Sequence, residues 1–277
     1  MQNNECQKVE LVTAERQARL VQLGFRFGRN GPHAARTMML DDLRQLFSST
    51  APDAQRADYV AAVVEANVLN KPTRKARELA WRHLATLYAL DGANPIFRAL
   101  RRLWSLNEAA QPMLALAVAL ARDPVLRASQ SFVLSKDPGS QVPREHVEAH
   151  LRATSPDRFS TASLKSMAQN IAGTWTAAGL FIGRMRKIRV TAQTYPESIA
   201  LLLFLGYLEG RTGARLFSSD WMNLVEAPTE VLELLAGSAS HKGLLVFMSA
   251  GGVKEVRFPG YLTSEEEQIR QEVSHVV

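Results

Sequence analysis

The chain has 277 residues, 46% hydrophobic and 22% charged, a balance that excludes a wholly disordered protein and allows one large domain or two ordinary ones. Its formal charge of +6 favours an acidic partner, of which nucleic acid is the commonest. The single cysteine, Cys6, excludes an intrachain disulfide and a Cys-rich zinc site, and fits a reducing cytoplasm.

Residues 1–33 are polar with scattered apolar positions, and Met1 to Lys8 has no apolar core, unlike a secretory signal. Leu11 to Leu23 is predicted as a short helix, and Gly28 to Pro32 as a loop. Met38, Met39, Leu43, Leu46 and Phe47 recur at helical spacing over 34–48. After the turn at Ser48 to Asp53, with Asp53 as the expected cap, Tyr59, Val60, Val63 and Val64 continue the helical signal to Asn67. Pro72 is expected in the first turn of the next helix. There Ala76, Leu79, Ala80, Leu84 and Leu87 make one apolar stripe, with Arg74, Lys75, Glu78 and Arg82 opposite. Three helices, the third basic, outline a helix-turn-helix unit.

Further helices are predicted over 94–105, 112–121, 125–134 and 142–152, with Asp123-Pro124 ending the second. Ser135 to Ser140 is the strongest punctuation, and a domain boundary is expected between about 135 and 160. Ser160, Thr161 or Ser163 caps a helix that runs to Ala178, with Gly179 at its C′ position. Within Met185 to Thr194, Ile188, Val190 and Ala192 alternate with Lys187, Arg189 and Thr191, as in a strand. Helices follow at 196–206 and within 225–237, and Lys242 to Phe258 reads as a β-hairpin turning at Ser249 to Gly252. The expected fold is mainly α. Its units are an N-terminal segment (1–33), a helix-turn-helix-like domain (34–140), a winged-helix-like α+β domain (155–262) and an acidic tail (263–277) expected to fray.

Two basic segments carry the candidate function. From Lys71 to Trp104 there are eight Lys/Arg against two acids. Lys71, Arg74, Lys75 and Arg82 suit phosphate contacts, and the Thr73 hydroxyl and helix N-terminal amides would add more. The alternative is a solvated helix face. From Arg158 to Thr194 there are six Lys/Arg and no acid: Arg158, Lys165, Arg184, Arg186, Lys187 and Arg189. A basic strand directly after a helix resembles the wing of a winged helix; the alternative is an edge strand protected by charge.

Other chemistry is weakly signalled. His146 and His150 have a metal-ligand spacing, but the intervening glutamate is not placed as in HExxH and no third ligand is evident, so no metal is expected. No phosphate loop, Gly-x-Ser-x-Gly elbow or paired-carboxylate motif appears, so no catalytic residue and no cofactor is assigned. The four tryptophans sit in apolar helical contexts and read as core. The runs Met113 to Ala121 and Ile199 to Leu208 fall short of the ~20 residues of a membrane span and read as buried helices.

Asn67 to Arg77, followed by Leu87-Tyr88, Ala121 to Pro124 and Leu126-Arg127, resembles the BrxA family, a small component of the bacterial BREX phage-defence systems. Ser163 to Gly179, Gly206, and Gly243 to Phe258 carry the likeness on, so that it covers 34–260. The resemblance implies a non-catalytic, DNA-binding helical protein with helix-turn-helix or winged-helix elements that works beside other BREX proteins in antiviral defence; the paired basic segments make double-stranded DNA the expected partner. It also implies DNA contacts at Thr73, Arg74, Lys75 and Arg77. A protein–protein adaptor within such a complex is the competing expectation. No membrane partner is expected, and oligomeric state and DNA sequence preference are not legible.

Overall fold

The computed structural model describes residues 14–154 and 158–275. Helix α1 spans 14–22, the part of the predicted 11–23 helix that lies within the described residues. A 3-10 turn, Pro32–Ala34, leads to α2 (Leu40–Ser48), which buries Leu40, Leu43, Leu46 and Phe47. α3 (Arg56–Val60) runs on into a π turn, Ala61–Glu65. Its start is fixed by the Gln55 N–H donating to Asp58 Oδ2 at 2.8 Å, so the cap is built around Gln55 and not Asp53.

α4 spans Arg74–Tyr88. Thr73 is extended and its hydroxyl accepts from the Ala76 N–H at 3.1 Å, which makes Thr73 the cap and leaves Pro72 just outside the helix. The stretch 66–73 joining α3 to α4 passes through two left-handed asparagines, Asn67 and Asn70. Asn67 closes it, exchanging hydrogen bonds with the backbone of Lys71.

α5 (Pro95–Trp104) is capped by Asn94, and α6 (Gln111–Arg122) ends where Asp123 leaves helical geometry before Pro124. The predicted 125–134 helix is two pieces, α7 (Pro124–Arg127) and α8 (Gln130–Leu134). α9 spans Arg144–Thr154. α10 (Thr161–Ala177) is capped by Ser160 and closed by left-handed Gly179.

β1 (Phe181–Ile182) and β2 (Ile188–Arg189) form a short antiparallel hairpin. α11 (Pro196–Leu208), α12 (Ala214–Phe217) and α13 (Thr229–His241) precede a second hairpin, β3 (Val246–Ala250) with β4 (Val253–Arg257). Its two-residue loop, Gly251-Gly252, has positive φ at both positions, the geometry that matches the strand twist and that glycine adopts without strain.

α6 and α11 are buried almost along their whole length and pack on each other. α4, α5 and α10 lie against α6; α5 and α13 lie against α11. The apolar core therefore runs without a break from one side of 135–160 to the other, and the two stretches share it. Among the described residues no single helix is long and apolar enough to cross a membrane.

The acidic tail departs from expectation. Residues Ser264–His275 form α14, a packed helix. Val273 is buried, Glu266 pairs with Arg98 at 2.5 Å, and Glu267 accepts from the Tyr207 hydroxyl at 3.0 Å. Its carboxylates meet cations and a phenol supplied by distant elements, which offsets the entropy of ordering a chain end.

Candidate nucleic-acid interface

α4 presents its predicted basic side to solvent, with Ala80, Leu84 and Leu87 buried behind it. The charge on that side is thinner than the sequence suggests. Lys71 Nζ lies 2.7 Å from Asp42, and Arg74 bridges Glu65 at 3.2 Å and Glu78 at 3.0 Å. Arg98, from the same basic stretch, is spent on Glu266. Arg101 donates to the Thr50 carbonyl at 2.9 Å and covers the Phe47 ring, and Arg102 covers Tyr261. Asp42, Glu65 and Glu266 all lie outside the stretch whose charge they offset. Arg77 is half-buried and donates to the Glu65 carbonyl at 3.3 Å. Lys75 and Arg82 are exposed, and among the described residues neither pairs with a carboxylate. Thr73 is exposed at the helix start, with its hydroxyl engaged in the cap.

Arg36 joins this surface, and its isolated position in the sequence gave no signal for it. Arg36 and Arg82 both bear on His83 of α4. Burial, and then these two guanidinium groups, hold the His83 imidazole pKa below its ordinary value. Two guanidinium groups beside the imidazole make this part of the surface locally electropositive.

A cleft of about 570 Å³ is lined by Lys71, Pro72, Ala76 and Ala80 on one side and by Ala177 at the end of α10 on another. β1 begins four residues beyond Ala177, so the basic hairpin starts within roughly 14 Å of that cleft. The chain matches no family model, no curated protein and no solved structure.

The second basic segment divides into surface and core. Lys165 is exposed on α10. Arg184 and Arg186 are exposed in the loop between β1 and β2, flanking Met185, which is 91% exposed. Lys187 is half-buried, donates from Nζ to the Gly183 carbonyl at 2.7 Å, and has its pKa lowered by burial. Arg189 is fully buried and is no surface contact. Its guanidinium lies 2.6 Å from the Glu226 carboxylate, and its Nε donates to the Val133 carbonyl at 3.2 Å. The alternation that reads as a strand puts Arg189 on the inward side, where Glu226 compensates its charge. The Arg189–Glu226 contact is close but its angles fall outside hydrogen-bond geometry, so it is Coulombic.

A trio with the outline of a nucleophile, base and orienter lies elsewhere. His33 Nδ1 is 2.7 Å from Asp123 Oδ2, and His33 Nε2 is 2.8 Å from Thr174 Oγ1. All three residues are fully buried, and Thr174 Oγ1 also accepts from the Met38 N–H at 2.8 Å. With the ring proton on Nδ1, every one of these groups is satisfied internally. The trio therefore ties the 3-10 turn, the start of α7 and α10 together and reaches no solvent. Gly31 lies against it: a Cβ there would fall 1.7 Å from Asp123 Oδ1.

His146 is exposed, while His150 Nε2 donates to the Ala128 carbonyl at 2.7 Å and its ring stacks on Phe132, so the pair does not converge. Among the described residues no three His, Cys, Asp or Glu side chains gather to hold a metal ion. Trp104, Trp175 and Trp221 are core residues, whereas Trp81 is only half-buried and has the Arg56 guanidinium 5.3 Å from its ring centroid.

Proposed function

We propose that the protein binds double-stranded DNA without catalysing a reaction on it, mainly through phosphate contacts, as a component of a bacterial BREX-type defence system in the cytoplasm. One observation carries the reading: exposed cations without a carboxylate partner gather on α4, on Arg36 beside it, and on the loop of the β1–β2 hairpin. α4 acts as the recognition helix and the β1–β2 loop as a wing. The defence role rests on the family resemblance of the sequence. The joining stretch 66–73 is longer than the roughly 3–4-residue turn of a helix-turn-helix, so α4 is a variant of that unit.

The contacts in this reading are Lys75, Arg82, Arg36, Lys165, Arg184 and Arg186, with Thr73 at the helix start. Fluorescence anisotropy with duplex DNA at several salt concentrations tests it. Neutralising about four phosphates predicts a log–log salt slope near −3.6, a loss of roughly 10²-fold between 50 and 200 mM salt. No binding at low salt overturns the reading.

A second reading, an adaptor that docks other subunits, is favoured by exposed apolar side chains: Leu234 on α13, and Met248 and Val253 on the second hairpin. Pull-down after nuclease treatment separates the two, because an adaptor keeps its partners and a DNA-bridged association loses them.

A further inference from the structure

A cleft of about 730 Å³ opens between the end of α1, the start of α3, the C-terminal half of α4 and the end of α6. Arg26, Arg56, Arg82 and Arg122 line it, one from each of these neighbourhoods, together with the half-buried Trp81. Four arginines converging from four segments are not a by-product of one helix's charge pattern.

Their pairing is incomplete. Arg122 is only 7% exposed, and its partners are neutral: Nε donates to the Thr86 carbonyl at 3.2 Å and Nη1 to the Gly24 carbonyl. Arg26 reaches the same Thr86 carbonyl at 3.5 Å. Among the described residues, no carboxylate pairs with Arg26, Arg82 or Arg122. Burial, and then the neighbouring Arg26 charge, lower the Arg122 pKa to about 10, which is the cost of holding two guanidinium groups together in a half-dry site. An anion entering the cleft removes that cost.

Two carboxylates line the cleft and both are engaged. Glu78 holds Arg74 at 3.0 Å, and Asp91 stands 4.0 Å from Arg56. The four cations therefore exceed the acids by two, the charge of a phosphate monoester dianion above its second pKa near ~6. The remaining wall is aromatic and small. Trp81 carries Arg56 over its ring, and Ala85, Ala89 and Ala93 leave room beside them. A planar ring stacks well on an indole or on a guanidinium plane.

We propose that this cleft is a binding site for a nucleoside monophosphate, with the phosphate held by Arg26 and Arg122 and the base stacked at Trp81 and Arg56. The site is separate from the proposed duplex contacts, sharing only Arg82 with them. The assignment does not rest on DNA binding.

Trp81 is the least buried of the four tryptophans, so its emission reports on the cleft. The test titrates the full chain with AMP, excited at the red edge of tryptophan absorption, with calorimetry in parallel. Adenosine, inorganic phosphate and a short duplex are run as separate arms. The expected result is saturable AMP binding that outcompetes either fragment alone. Arg26→Gln and Arg56→Gln, neither of them a proposed DNA contact, each weaken AMP by roughly tenfold or more with the melting temperature held. Trp81→Phe abolishes the optical signal but keeps the calorimetric one. The proposal is overturned by absence of saturable AMP binding, by AMP binding unchanged in both arginine variants, by phosphate binding as tightly as AMP, or by a Trp81 response to duplex but not to AMP.

Discussion

Arg189 and Glu226 meet at 2.6 Å beneath the basic hairpin, the guanidinium fully buried and the glutamate held at positive φ. Removing one member of a buried pair leaves the other charge uncompensated. Arg189→Ala is expected to lower unfolding stability by about 3 kcal/mol, read by urea denaturation. A loss below about 1 kcal/mol contradicts a structural role.

Arg184 and Arg186 behave in the opposite way. Both are exposed, so the double change to Glu leaves the melting temperature within the range of ordinary surface substitutions. Duplex affinity falls for unrelated sequences alike. If affinity stays the same, the β1–β2 loop is only a charged edge.

On α4 the residues to change are Lys75 and Arg82, because Arg74 already faces Glu65 and Glu78. Each of Lys75→Ala and Arg82→Ala is expected to reduce the salt slope by about 1, while Arg74→Ala has a smaller effect. Equal effects from all three would show that the Arg74 ion pairs open on binding.

Asp123 gives the fold an acid-side sensitivity. Burial is the largest influence on it and pushes its pKa up, but hydrogen bonds from the His33 ring and from the His33 and Leu126 N–H groups outweigh it. The folded pKa is therefore below the unfolded one. The stability it adds is complete above the ordinary value of 3.8 and is lost as pH falls through the lower folded value. Asp123→Asn is expected to lose about 1–3 kcal/mol at neutral pH, with the gap from wild type narrowing towards pH 3 in a urea series. A gap independent of pH contradicts the linkage.

Glu209 has the reverse sign. Burial, the leading influence, raises its pKa despite the Trp221 indole and the Arg16, Arg211 and Arg127 guanidinium groups nearby, which act in the opposite direction. Its ionised form costs stability at neutral pH, and the cost disappears as pH falls below the ordinary value of 4.5. Glu209→Gln should therefore raise the melting temperature at pH 7 and leave it unchanged at pH 4. A lower melting temperature at pH 7 would show that the cations around Glu209 outweigh its desolvation.

Much of the architecture is legible residue by residue. The apolar stripe of α4, the Ser160 cap of α10, the Gly251-Gly252 turn and the buried runs of α6 and α11 follow from periodicity and backbone preferences that act within a few residues. The misreadings near helix starts are local competitions, in which Thr73 caps better than Pro72 starts and the Gln55–Asp58 bond supersedes Asp53. The candidate surface is only half legible. Arg36 and the Arg26, Arg56 and Arg122 cleft come together from segments whose sequences show no common motif.

The sequence by itself determined which stretches are mainly helical and which face of α4 is basic, because the amphipathic period is short-range. Tertiary structure alone decided which of those charges remain available. Asp42, Glu65, Glu226 and Glu266 reach Lys71, Arg74, Arg189 and Arg98 through space. Coulombic pairing and desolvation depend on that separation and on burial, not on distance along the chain. The same physics turned an acidic tail into α14 and left Lys75, Arg82 and Arg36 as the open cations of the surface.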